Sequence, residues 1–259
     1  HYRLTNEQIA EFFEICNEGR LAGYLFEIVP PILRKKEGKK YLVDLILDAA
    51  KNKGTGKWTS QESLDVGVPL PAITQAVFAR YISSDKKLRT ALGKLRSHTK
   101  TKPSVDLETF LADLEKSLYA ACLMAYSEGL YLLKKANEEY NLNLNMEEVI
   151  RVWQGGCIIR SKLLHDLKNA KKEITTSHFL MNKKSVQQIE KCRASWVNVI
   201  TESLRAGIGA PALTATLQYF DAMTSRELPA NLVQGMRDFF GAHTYERTDK
   251  SGTFHTQWI

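Results

Sequence analysis

Long apolar runs are missing from this chain. None approaches the roughly 18 to 20 residues that a helix needs to cross a bilayer, so a helical membrane span is excluded. Glycine and proline are sparse, at 15 and 7 of 259 residues, which excludes a collagen-like or linker-dominated polypeptide. Cysteine is limited to Cys16, Cys122, Cys157 and Cys192, far apart, with no CxxC and no Cys–His pair at zinc-ligand spacing. They read as free, partly buried thiols in a reducing compartment, which points to the cytoplasm and to no metal site. HExxH, GxSxG and the dinucleotide fingerprint are all absent, so the chain supplies no self-contained catalytic machinery. The opening His1-Tyr2-Arg3-Leu4-Thr5-Asn6 lacks the basic-then-apolar order of a signal peptide and has no initiator Met. It reads as a processed chain or the tail of a longer one.

What is present is an ordinary globular composition: 44% apolar, 25% charged and 9% aromatic. Lys and Arg outnumber Asp and Glu by 36 to 29, for a net charge of +7. That surplus suits an anionic partner, but many solvated proteins carry as much.

Nearly every periodic segment reads as helix. Thr5 with Gln8 forms a capping box ahead of Ile9, Phe12 and Phe13, with Gly19 as a stop. Tyr24 to Leu33 continues at helical spacing, although Pro30-Pro31 is expected to kink or break it. Over Tyr41 to Ala50, Asp44 and Asp48 oppose Leu42, Leu45 and Ile46, favouring helix. Ser104 is expected to cap a long helix with Lys134-Lys135 in its last turn. Asn145 with Glu148 opens the next helix, and Ser185 precedes one that Gly207 stops. Pro211 and Pro229 suit first-turn positions of two more, the last ending at Gly241. The fold class is therefore all-α: a large helical domain over 1–241 with a tail over 242–259.

Sliding the chain along itself by 140 residues exposes an internal repeat, about 59–91 on 199–231. Ser63-Leu64 falls on Ser203-Leu204, Gly67 on Gly207, and Pro71-Ala72-Ile73-Thr74 on Pro211-Ala212-Leu213-Thr214. Chance likeness of helix-Gly-Pro-helix connections is the bland account. So many matches in register without a gap favour two duplicated helical halves.

Four segments could carry chemistry. In Lys53-Gly54-Thr55-Gly56-Lys57-Trp58-Thr59, two glycines let backbone N–H groups approach an anion, with ammonium groups and hydroxyls alongside. Thr59 with Glu62 makes a capping box, so the loop is expected to end at a helix N-terminus. The P-loop order is absent, and phosphate binding weighs about equally against a solvated turn. Arg80, among Val77, Phe78 and Ile82, is either a fork for phosphate or carboxylate or half of an ion pair, the commoner outcome. Arg237 and His243, with Tyr245, flank a helix stop and could converge on an anionic ligand. Equally, Arg237 could pair with Asp238 or Glu246, and His243 could finish the helix. His255 has no nameable partner. The basic stretch Lys86, Lys87, Arg89, Lys94, Arg96, Lys100 and Lys102, with His98, lacks interleaved aromatics, so it reads as a solvated helix end rather than a nucleic-acid surface.

At these residues the chain resembles the C-terminal part of 6-phosphogluconate dehydrogenase. Lys53 to Thr59, Ala76-Val77-Phe78-Ala79-Arg80, Trp153-Gln154-Gly155-Gly156-Cys157-Ile158-Ile159-Arg160-Ser161 and Arg237 to Glu246 all look like that family, in its order. The resemblance implies an all-helical, internally duplicated domain of an NADP-dependent enzyme that converts 6-phosphogluconate to ribulose 5-phosphate and CO2. It implies that Lys53, Thr55 and Arg80 line the substrate pocket around the phosphate. Arg237 and His243 would reach that pocket from the second subunit of a homodimer, whose tail threads through its partner. The family's Rossmann domain, which binds NADP, and its lysine and glutamate acid-base pair have no counterpart here. The chain alone is therefore expected to be catalytically silent. The competing reading is a non-catalytic helical module that binds sugar phosphates or dimerises.

Overall fold

The computed structural model describes residues 1–51, 53–97 and 101–259. His98 and Lys100 of the basic stretch lie outside the described residues. The chain divides into two compact units, His1–Tyr219 and Phe220–Ile259.

The first unit is helical almost throughout, in keeping with the all-α expectation. Its elements are α1 (Asn6–Glu18), α2 (Tyr24–Arg34), the hairpin β1 (Lys36–Glu37) and β2 (Lys40–Tyr41), α3 (Thr55–Asp65), α4 (Pro71–Ser84) and α5 (Lys86–Leu95). They continue with α6 (Leu107–Tyr140), α7 (Met146–Gln154), α8 (Leu163–Asn169), α9 (Lys171–Thr176), α10 (Lys183–Arg205) and the start of α11 (Pro211–Thr224). The 34 residues of α6 span about 51 Å at 1.5 Å per residue, and make it the central strut. Ala120, Leu123, Met124 and Leu130 of α6 are fully or almost fully buried, as are Ile189 and Trp196 of α10, which packs along it. The indole of Trp196 donates to the Leu213 carbonyl at 3.1 Å, so its one polar atom is satisfied inside the core.

Local sequence explains most of the helix ends. Thr5 caps α1 with its box to Gln8 complete, and Asn145 caps α7 through the amides of Glu147 and Glu148. Four sequence expectations need correction. Asp106, not Ser104, caps α6; Ser104 instead gives its amide and hydroxyl to Glu202. The same helix runs beyond Lys134-Lys135, which pair with Glu138, and stops at Asn141 in a left-handed conformation (φ 52°). Pro30 and Pro31 sit inside an unbroken α2, which packs closely on α1 and is tied to it by Arg34 bridging Glu7 and Glu14. Tyr41 to Ala50 is not a helix. The β1–β2 hairpin pairs Lys36 with Tyr41, a short 3-10 turn follows, and Leu45, Ile46 and Leu47 stay exposed with no core to reward an amphipathic helix.

The 140-residue register recurs in backbone geometry. Gly67 and Gly207 both take left-handed φ, 66° and 68°. Val68 and Ile208 donate to Ser63 and Ser203 at 2.8 Å each, and Ser63 and Ser203 turn their hydroxyls onto the carbonyls of Ser60 and Ile200. The caps Thr5 and Asn145 fall in the same register. Around Gly23 and Ser161 the segments exchange hydrogen bonds, Tyr24 to Arg160 at 3.1 Å and Lys162 to Ala22 at 2.7 Å. A Cβ on Gly23 would stand 2.9 Å from that of Ser161, so the approach requires glycine. These parallels support the reading of two duplicated halves.

The second unit holds the end of α11, α12 (Ala230–Gly241) and a hairpin of β3 (Tyr245–Glu246) and β4 (Thr253–Phe254). A single buried carboxylate organises it. Asp238 accepts from the amides of Thr244 (2.9 Å) and Thr256 (3.1 Å), from His255 Nδ1 (2.9 Å) and from the Trp258 indole (2.9 Å). Burial raises a carboxyl pKa, but these four donors more than offset it and hold Asp238 down at about 2.

Candidate functional site

The glycine segment does not precede its helix as a loop. Gly54 (φ 107°) sits immediately before α3, in a region that side-chain-bearing residues avoid, and Thr55 is already the first helical residue. Thr59 is thus inside the helix, its hydroxyl bonded to the Thr55 carbonyl, rather than in a capping box. This correction sharpens the chemistry. The first-turn amides of Thr55, Gly56 and Lys57 have no intrahelical carbonyl to reach, and they form the positive end of α3.

Arg80 arrives at that same end from α4. A Cβ added to Gly56 would lie 2.9 Å from Arg80 Nη2 and 2.8 Å from Val77 Cγ2, so the absent side chain is what lets α4 close on α3. Lys53 and Thr55 are exposed and Arg80 is half-buried. Among the described residues neither Lys53 nor Arg80 forms an ion pair, although pairing is the usual fate of an arginine flanked by apolar neighbours. The Arg80 guanidinium thus reaches the N-terminal turn of α3 in no ion pair among the described residues, and Lys53 lies two residues before that turn in sequence.

The duplicated register shows what a purely structural solution looks like. Carried three residues further back, it sets Gly56 on Trp196 and Arg80 on Phe220, and both aromatic residues are buried almost completely. At one position a buried ring stands; at the other glycine leaves room for Val77 and the Arg80 guanidinium to close in.

A cavity of about 680 Å³ lies in the first unit, walled by Phe26, Trp58, Tyr126, Leu133 and Trp153 among others. Among the described residues Glu62 and Arg160 are the only charged ones in its wall, and Arg160 is held by Glu27 at 2.9 Å and by the Tyr24 ring. Such a wall does not suit a sugar phosphate.

Within the second unit, Arg237 is exposed on α12 and donates to Gln234 at 3.2 Å; neither Asp238 nor Glu246 pairs with it. The His243 ring lies over Gly241, where a Cβ would stand 2.8 Å from it, and meets Phe240 edge-on at 6.0 Å. Left-handed Ala242 and Thr244 on either side fix the bend that presents it. Sequence reasoning missed Asp238 as the anchor of this segment and left His255 without its partner. An acid one turn from a helix stop, followed by a tail holding His255 and Trp258, was the available signal.

Residues 1–258 match the family described as 6-phosphogluconate dehydrogenase, C-terminal domain. The chain belongs to that family. It is 42% identical over 258 residues to the decarboxylating 6-phosphogluconate dehydrogenase of Escherichia coli, covering 99% of this chain and 55% of that protein. It is 41% identical over 260 residues to the NADP(+)-dependent, decarboxylating 6-phosphogluconate dehydrogenase of Bacillus subtilis, again 99% and 55%. Among solved structures, the Plasmodium falciparum 6-phosphogluconate dehydrogenase, studied apo and with NADP+ and 6-phosphogluconate, superposes with a TM-score of 0.93 at 41% identity over 99% of this chain and 56% of its own. The chain thus spans about half the length of the relatives it matches. Among the described residues no helix is long and apolar enough to cross a membrane, and no cluster of His, Cys, Asp or Glu could hold a metal ion.

Proposed function

We propose that this chain is the substrate-binding and dimerising portion of an NADP-dependent 6-phosphogluconate dehydrogenase, which oxidises and decarboxylates 6-phosphogluconate to ribulose 5-phosphate. The observation that carries the reading is the approach of the Arg80 guanidinium, in no ion pair among the described residues, to Gly56 at the N-terminus of α3. Arg80 closes on Gly56 beside Lys53 and Thr55, in the copy of the repeat that forgoes an aromatic filling. A phosphate dianion there would accept from the guanidinium fork, the ammonium, the Thr55 hydroxyl and the first-turn amides together.

Arg237 and His243 complete the pocket from the second subunit of a homodimer in this reading. Exposed Leu232, Val233, Met236, Phe239 and Phe240 on α12, an apolar surface unusual for a free helix, support such a contact. Hydride transfer and the acid-base steps belong to the part of the enzyme that binds NADP, so the chain by itself makes no NADPH. In the enzyme that contains this chain, Arg80→Ala and Arg237→Ala should each weaken 6-phosphogluconate binding about ten- to hundredfold, from loss of a charge-assisted hydrogen-bond set of about 1.5 to 3 kcal/mol. Calorimetric titration measures this directly, and unchanged affinity in both variants would remove the assignment.

A further inference from the structure

The helix that delivers Arg80 has an unusual fastening. Leu70, in the capping position of α4, offers no side-chain acceptor, and Pro71 has no N–H. The next two amides, Ala72 and Ile73, point instead at Glu128, a fully buried carboxylate from the middle of α6. Its oxygens stand 3.0 and 3.3 Å from the Ala72 nitrogen. No cation pairs with Glu128 among the described residues, so two backbone amides are the main compensation for a buried acid. Burying a carboxyl this way is costly, whereas a serine at the position of Leu70 would cap the helix from within its own strand of sequence. What the carboxylate adds is a tie between two elements.

That tie bears on the anion site. From Ala72 to Arg80 is eight residues, about 12 Å along one unbroken helix, so a slide or tilt at the first turn is carried to the guanidinium. There the tolerance is small, because Val77 and Arg80 fill the space that a Cβ on Gly56 would need. We propose that Glu128 is a positioning residue for substrate binding: by fastening the first turn of α4 to α6, it sets where the Arg80 guanidinium meets the N-terminus of α3. This inference rests on the reading of Arg80 as a phosphate ligand.

The test is steady-state kinetics and thermal unfolding of Glu128→Leu, Glu128→Gln and Arg80→Ala in the enzyme that contains this chain. Glu128→Leu should raise KM for 6-phosphogluconate about tenfold with kcat changed less than about twofold, as expected when ground-state binding alone is lost. Glu128→Gln keeps one acceptor for Ala72 and should bring KM back to within about threefold of wild type. If Arg80→Ala raises KM while Glu128→Leu lowers only the melting temperature, the positioning role is overturned and the anion site stands. If Arg80→Ala leaves KM unchanged, the site reading falls and this proposal falls with it. Should Glu128→Leu fail to fold, Glu128→Met in the wild-type and Arg80→Ala backgrounds decides: a KM increase in the first that is absent from the second supports the tie, and no increase in either, or a fully additive one, overturns it.

Discussion

Glu128→Gln should also flatten a pH dependence of stability. Burial is the larger influence on Glu128 and pushes its pKa from 4.5 up to about 8, against the lowering effect of the Ala72 and Ile73 amides. A folded-state pKa above the unfolded value means that folding takes up a proton between the two. The stabilisation is complete below about pH 4.5 and is lost as pH rises through about 8. Each pH unit inside that window is worth about 1.4 kcal/mol, so the whole window amounts to at most about 5 kcal/mol. That is a large share of the 5 to 15 kcal/mol typical of a domain.

The titratable group that faces Glu128 is Tyr219 on α11, which in turn meets Tyr131 of α6 and His178. Burial raises Tyr219 further from neutrality, so it stays protonated throughout the window. Urea unfolding of wild type and Glu128→Gln at half-unit steps from pH 5 to 8.5 isolates the effect, because subtracting the two curves cancels every other titrating group. The difference should shift against wild type by about 1.4 kcal/mol per pH unit. A difference that stays constant across the series would show that Glu128 is ionised at no cost, and would refute the reasoning.

His178 should show the opposite sign. Its Nδ1 accepts from the Leu180 amide, so Nε2 carries the proton toward Tyr219, and burial lowers its pKa from 6.5 to about 4. The unfolded chain therefore takes up a proton first, and stability falls as pH drops from about 6.5 toward 4; His178→Gln should lose that acid-side slope in the same urea series. Gly56→Ala places a methyl 2.8 Å from Val77 and 2.9 Å from Arg80. It should weaken 6-phosphogluconate binding about tenfold by calorimetry, although alanine is by itself the better helix former by about 1 kcal/mol. Wild-type affinity in that variant would mean that Arg80 can withdraw without loss.

The helical fold was legible because periodicity and capping residues agree along most of the chain. It failed where a tertiary partner decides the outcome. Leu42 to Ala49 has the spacing of an amphipathic helix, but no packed surface receives its apolar side. Pro30-Pro31 reads as a kink or a break, and the break is absent: contacts with α1 and the Arg34 clamp hold α2 together across two missing amides. Lys134-Lys135 looks like the end of α6 because cations favour a helix C-terminus, but Glu138 one turn on neutralises them and the helix continues. In the site, Arg80 and the glycine segment were visible as residue types. Their meeting at Gly56 was not, because it depends on how α4 lies on α3. Glu128 left a trace that went unread: an acid between Met124 and Leu132, spaced one turn from each on the apolar face of α6.

The repeat turns these particulars into an argument about function. Two segments 140 residues apart share caps, left-handed glycines and hydrogen bonds. In the second half Trp196 is a large buried ring, and a Trp→Ala change there should be worth about 3 to 5 kcal/mol. The first half has glycine at the matching position and an arginine where the other carries Phe220. It forgoes that packing energy, gathers positive charge at a helix N-terminus, and fastens the arginine's helix with a buried acid. Selection for stability alone would favour the aromatic solution in both halves, since each of these three features is unfavourable in an empty site. An anion there would neutralise the charge that Arg80 brings to the N-terminus of α3, which is why the Gly56–Arg80 pair, and not Trp196–Phe220, is the place to look for substrate.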